Sequence, residues 1–121
     1  MANKVEKISS PKTKKALTFW QGVNTIALQR MPVDLSARQT STLLHIYLNA
    51  EPHTIKSLSE ILEMSKPAIC RAIDALEAAK LVKRTIDKND RRNVLITRTA
   101  KGTAYVQEFA DIIMLASKEA A

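Results

Sequence analysis

The side chains best suited to chemistry in this chain are charged, and they gather in one hexapeptide, Asp87-Lys88-Asn89-Asp90-Arg91-Arg92. Carboxylates beside arginines can fix the direction of a guanidinium through charge-assisted hydrogen bonds. An arginine aimed in this way suits the narrow, electronegative minor groove of a DNA duplex. Taken alone, the hexapeptide reads equally well as a solvated turn whose charges keep it soluble. A second group lies upstream, where Ser65, Lys66, Pro67, Ala68, Cys70 and Arg71 open a helical pattern. Arg71 can donate a bidentate pair to guanine, bind a phosphate, or pair with an acid inside its own domain, and the sequence leaves all three open.

Other chemistries find little support. His45 and His53 are the only histidines, and neither stands at a metal-ligand spacing. His45 falls among apolar residues and reads as a packed helix position, while His53 sits in a turn, where exposure or capping is expected. No glycine loop that could cradle a phosphate and no nucleophile elbow occurs, so neither an enzyme nor a bound cofactor or metal is expected. Cys70 is the only cysteine, which rules out an intrachain disulfide and fits a reducing compartment. Its place beside Lys66 and Arg71 raises an oxidant-sensing reading, with a small packing residue as the alternative. No apolar run is long enough for a bilayer, and the first residues lack a signal core, so a cytoplasmic protein is expected.

Charge placement narrows the partner. The formal net charge is +7, with six basic and one acidic side chain in residues 1–30, and eight basic and four acidic in residues 66–92. Residues 31–65 are net acidic, carrying two basic and four acidic side chains. A basic surface in one block favours a polyanion, because each neutralised phosphate releases counterions. Nucleic acid therefore ranks above a winged helix used for protein contacts.

The elements that must hold these residues are mostly helical. Apolar residues make up 45% of the chain and aromatics only 4%, with two glycines, which points to a helical core of Leu, Ile, Val and Ala. Residues 1–12 read as a flexible basic arm carrying Lys4, Lys7 and Lys12, with Ser9-Ser10-Pro11 as a helix break. Residues 13–121 read as one domain. Within it, Leu17, Trp20, Val23, Ala27 and Met31 recur at helical spacing to a stop at Pro32. Ser36 caps a helix to about 49, and Thr54 or Ser57 caps a short helix through Leu62, with Ser57 and Glu60 at capping-box spacing. Ser65 caps the next helix to about Ala79, with Pro67 in its first turn and Ile69, Ile73 and Leu76 on the inner face. Two short helices so tightly joined form a helix-turn-helix. The runs 81–86 and 93–98 flank the charged hexapeptide as strands, and Thr99 opens a last helix with Tyr105, Phe109, Ile112 and Ile113. The expected fold is mainly α with a small β-hairpin, a winged helix-turn-helix of about five helices with a two- to three-stranded wing.

These segments resemble the MarR family of winged helix-turn-helix regulators, over about residues 36–109. The likeness is carried by LSEILEMSKPAICRAIDALEAAKLV, then KRTIDKNDRRNVLIT, then TAKG at Thr99–Gly102. The resemblance implies that residues 65–79 form the recognition helix, with Arg71 at the family's arginine. It places Arg92 on the wing arginine and Asp90 on its supporting carboxylate. It further implies a repressor that binds double-stranded DNA at a pseudo-palindromic operator. A homodimer through the terminal helices and release by a small-molecule effector also belong to that pattern. Three positions depart from it. Lys80 stands where glycine is usual after the recognition helix, Arg98 replaces an apolar residue, and too few residues follow Gly102 for the family's usual final pair of helices. Lys80 therefore predicts a helix end other than a left-handed one, and the short tail predicts a reduced dimer and ligand region.

Overall fold

The computed structural model describes residues 10–120, which form five helices and one hairpin. The order is α1 (Pro11–Arg30), α2 (Ala37–Leu48), α3 (Ile55–Leu62), α4 (Lys66–Ala78), β1 (Val82–Ile86), β2 (Val94–Arg98) and α5 (Ala100–Ala120). Most of the expected basic arm, residues 1–9, lies outside the described residues, while Lys12 belongs to α1. Ser10-Pro11 starts this helix instead of breaking one. The Ser10 hydroxyl accepts from the Thr13 N–H, and Pro11 occupies the first turn, where no N–H is needed. No helix among the described residues is long and apolar enough to cross a membrane.

The chain forms two compact units. In the terminal unit, which combines residues up to Met31 with those from Glu108 onward, Val23, Ile112 and Ala116 form a buried centre. Phe19, Ile26, Ala27, Phe109 and Ile113 pack against it. Gly22 faces Ala116 here, and a Cβ at this position would stand 3.4 Å from the Ala116 methyl, in ordinary contact. Leu17 and Trp20, on the same helical stripe, are 50% and 55% exposed.

The second unit, Pro32–Gln107, carries the helix-turn-helix and the hairpin. Ser36 and Gln39 form a reciprocal capping box at the start of α2. The box at α3 pairs Thr54 with Ser57, in place of the expected Ser57 and Glu60. The helix α3 stops at Glu63, whose φ of 51° lies in the left-handed region, and Ser65 caps α4 two residues later. Ile69, Ile73 and Leu76 are fully buried, as their spacing predicts, together with Ala68 and Ala72. Each of the three larger side chains contributes on the order of 1.5–3 kcal/mol by leaving water.

The strands pair antiparallel with Val82 opposite Arg98, Arg84 opposite Ile96 and Ile86 opposite Val94. Directly opposed residues share a face, so Val82, Arg84, Ile86, Val94, Ile96 and Arg98 all lie on one side of the hairpin. Val82 and Ile96 are buried, but Ile86 and Val94 continue that face into solvent. The sheet has two strands, and at the place of a third the Ile96 N–H donates to the His53 carbonyl at 2.8 Å. His53 is therefore not an exposed turn residue. It is buried, and its Nε2 lies 3.1 Å from the Asn49 carbonyl at the end of α2.

The departure at Lys80 has the opposite result to the one expected. Lys80 adopts φ 63°, so α4 does end in a left-handed residue. The Leu81 N–H reaches the Leu76 carbonyl at 2.9 Å and the Lys80 N–H the Glu77 carbonyl at 2.8 Å, while Leu76 and Leu81 are both buried. This is a Schellman termination, and its two hydrogen bonds and apolar contact outweigh the strain of a β-carbon there. The left-handed conformation costs an L-residue about 1–2 kcal/mol, and glycine's greater unfolded freedom returns part of the gain. Lys80→Gly is expected to stabilise the fold by about 0.5–1 kcal/mol, raising the thermal midpoint by a few degrees in calorimetry. At Gly102 an added Cβ would lie 1.7 Å from the Tyr47 hydroxyl and 2.2 Å from the Leu81 carbonyl. Gly102→Ala is expected to cost about 3 kcal/mol in urea denaturation, because backbone as well as side chain must give way.

Candidate nucleic-acid interface

The helix α4 and the hairpin tip present two sets of cations. On α4, Lys66, Pro67 and Arg71 are exposed and Cys70 is half-buried. Ser65 is exposed, and its hydroxyl accepts from the Ala68 N–H. Ala68 itself is only 9% exposed and turns inward with Ile69, so its side chain does not belong to the exposed row. Among the described residues, Arg71 makes no ion pair. The acid one turn away, Asp74, is held by Arg84 at 2.7 Å.

The tip Asp87–Asn93 is closed by its own hydrogen bonds. The Asp87 N–H donates to the Asn93 carbonyl at 3.0 Å, and the Asn93 N–H donates to the Asp90 carbonyl at 2.9 Å. Asp87 accepts from the Asn89 N–H at 2.9 Å, and Asp90 from the Arg92 N–H at 3.1 Å, two side-chain turns of the kind Asp favours. Asp90 also takes the Arg92 guanidinium with both oxygens, Nε at 3.1 Å and a terminal nitrogen at 3.3 Å. The Arg92 side chain is nevertheless 90% exposed, so it is aimed without being buried. Lys88, Asn89 and Arg91 stand exposed around it.

Arg92 holds the Asp90 carboxyl below its ordinary value, chiefly through the side-chain hydrogen bonds and then through the backbone N–H. A lowered folded value means that the pair is present above the ordinary carboxylate range and is lost only as pH falls through the lowered midpoint. At neutral pH, Asp90 is therefore ionised and able to hold Arg92.

Three positions that hold these elements in place escaped sequence reasoning. Arg84 links the first strand to α4, with its NH1 on the Glu77 carboxylate at 2.6 Å and its NH2 on Asp74 at 2.7 Å. Its backbone N–H also donates to Glu77, and this bond is the largest cause of the lowered Glu77 carboxyl. The only hint in the sequence was the pair of acids three residues apart on α4, followed by an arginine in the next strand. Arg98 donates to the carbonyls of Ile46 at 2.9 Å and Asn49 at 2.7 Å, satisfying orphan groups at the end of α2. The departure at Arg98 is thus a helix cap supplied from the hairpin. The Tyr47 hydroxyl donates to the Leu81 carbonyl at 2.6 Å and accepts from the Thr99 N–H at 3.0 Å.

A sequence model of the MarR family matches residues 33–93, half of the chain. The chain belongs to the MarR family. Its membership makes it a winged-helix transcription regulator of the DNA-binding class, and not an enzyme. Among solved structures, a mutant of Staphylococcus aureus MepR bound to an oligodeoxyribonucleotide aligns with a TM-score of 0.81 at 22% identity, covering 95% of this chain and 82% of that one. MepR bound to ethidium bromide aligns with a TM-score of 0.75 at 21% identity, over 94% of this chain and 80% of that one. A mutant of MarR from E. coli complexed with operator DNA aligns with a TM-score of 0.65 at 24% identity, over 90% and 73% respectively. No curated protein sequence matches the chain. At these identities the structural likeness speaks for the fold of this MarR-family chain.

In an NMR titration the Asp90 carboxyl is expected to have its midpoint below the ordinary aspartate range. Arg92→Ala should return it to the ordinary range, and an unchanged midpoint would refute the pairing.

Proposed function

We propose that the chain is a homodimeric repressor that binds a pseudo-palindromic operator, with α4 in the major groove and the hairpin tip in the minor groove. The observation that carries this reading is the Asp90–Arg92 pair, a guanidinium held in direction yet 90% exposed at the end of a hairpin. Solvation alone gives no reason to hold an exposed arginine by two carboxylate oxygens. A groove that accepts only a correctly aimed cation does. Lys66, Arg71, Lys88 and Arg91 add cations whose phosphate contacts would orient the domain. Ser65, Pro67, Cys70 and Asn89 complete the surface, and Ala68 takes part only through its backbone. The two aligned structures that hold DNA support the same use of the fold.

One recognition helix reads a short half-site, and a two-fold dimer doubles what is read. Exposed Leu17, Trp20, Leu28 and Met114 on α1 and α5 supply the apolar area for such an interface. Sedimentation equilibrium at micromolar concentration tests this part directly, and a monomer there would exclude the dimer.

Selection of bound duplexes from a random pool should return a sequence with two related half-sites. On that duplex, Arg92→Ala is expected to cost about 1–3 kcal/mol of affinity, with the thermal midpoint nearly unchanged. Arg71→Ala should weaken binding to a similar extent. Affinity of the parent should fall steeply and linearly on a log–log plot as salt rises. Equal binding by both variants and the parent would overturn the assigned roles, and failure to enrich any duplex would overturn the function.

A further inference from the structure

We propose that Arg84 is the positioning residue that fixes the wing to the recognition helix, so that α4 and the Arg92 tip meet the duplex as one rigid reading head. The inference rests on the DNA-binding reading above, although Arg84 itself is not offered as a DNA contact.

Three hydrogen bonds carry it. The guanidinium forks across one turn of α4, with NH1 on Glu77 Oε1 at 2.6 Å and NH2 on Asp74 Oδ1 at 2.7 Å. The backbone N–H of the same residue donates to Glu77 Oε2 at 3.0 Å. Glu77 thus grips both the main chain and the side chain of β1. The strand cannot slide along the helix without breaking these bonds, and it cannot rotate without withdrawing Arg84 from Asp74. Arg84 lies opposite the fully buried Ile96, so the second strand is carried with the first. The tip that presents Arg92 is rigid in itself, because its turns are closed internally. A fixed offset at Arg84 is therefore passed on to Arg92.

Charge gives the same residue a second consequence. Asp74 and Glu77 are acids on the helix proposed to approach phosphates, and left unpaired they would repel the duplex. With Arg84 between them they are compensated, and Asp74 is kept from pairing with Arg71, which remains available. Exposed ion pairs of this kind add little to stability. The value of the network lies in geometry, which a planar fork supplies and a lysine ammonium does not.

Arg84→Lys keeps the charge and removes the fork, which makes it the decisive variant. The probes are the duplex that the parent selects from a random pool and a scrambled duplex of equal length, read by fluorescence anisotropy. Affinity for the selected duplex is expected to fall about tenfold or more, while affinity for the scrambled duplex and the salt slope stay at the parent's values. In the Arg84→Lys background, Arg92→Ala should cost several-fold less than in the parent, because the tip already engages poorly. Asp74→Asn, a milder change at an exposed carboxylate, should give a smaller loss in the same direction, and circular dichroism confirms that each variant is folded. An Arg84→Lys protein that binds the selected duplex like the parent, with the full Arg92→Ala penalty, overturns the inference and leaves the DNA-binding reading standing. A parent that selects no duplex overturns that reading first, and the inference with it.

Discussion

The hydroxyl of Tyr47 is the point on which the unit carrying the helix-turn-helix and the hairpin depends. It donates to the carbonyl of Leu81, just before the first strand, and accepts from the N–H of Thr99, just after the second. Both ends of the hairpin are thereby tied to one atom of α2. The arrangement needs Gly102, because any side chain there would occupy the space of the hydroxyl and of the Leu81 carbonyl. Thr99 adds to it, accepting from the Gly102 N–H at 2.9 Å and donating to the Lys80 carbonyl at 2.8 Å. The Thr-x-x-Gly spacing is therefore a helix cap and a clearance in one motif. Arg98 lies 5.9 Å from the Tyr47 ring centre and reaches the carbonyls at the end of α2, so the same helix is held at its terminus as well.

With the base of the hairpin fixed in this way, strain elsewhere becomes tolerable. Lys80 and Glu63 both adopt left-handed backbone without being glycine, and each ends a helix of the helix-turn-helix. A conformation that costs an L-residue about 1–2 kcal/mol persists where surrounding bonds over-determine it. At Lys80 those bonds are the two of the Schellman turn and the one accepted from Thr99. Sequence identity at a single position is a weak guide to backbone conformation when three partners agree on the alternative.

Much of the architecture was legible because it is local. Apolar spacing, the hydroxyl caps at Ser36 and Ser65, and Pro67 in a first turn reveal themselves within a few residues, and the Asp90–Arg92 pair spans only two. What escaped was long-range. Arg98 reaches residues 49 and 52 positions away, and nothing near it announces those partners. In the sequence Arg84 is one more cation of a basic block and His53 a residue of a turn, because their partners Asp74, Glu77 and Ile96 lie on other elements. Whether Leu17 and Trp20 are covered by their own chain is likewise not a local property. Helical periodicity shows that residues share a face, but not whether the same chain covers it.

The apolar face of the hairpin outruns its core, leaving Ile86 and Val94 side by side in solvent at the tip end of the two-stranded sheet, beyond the edge bonds made at Ile96 and Arg84. Such a ribbon is a template for strand addition by another copy of itself. Directly beyond the pair come Asp87, Lys88, Asp90, Arg91 and Arg92, charges that flank a β-prone segment in the manner of gatekeepers. The charges of the tip are thus placed to oppose strand pairing between copies, and exchanging them for neutral residues is expected to lower solubility.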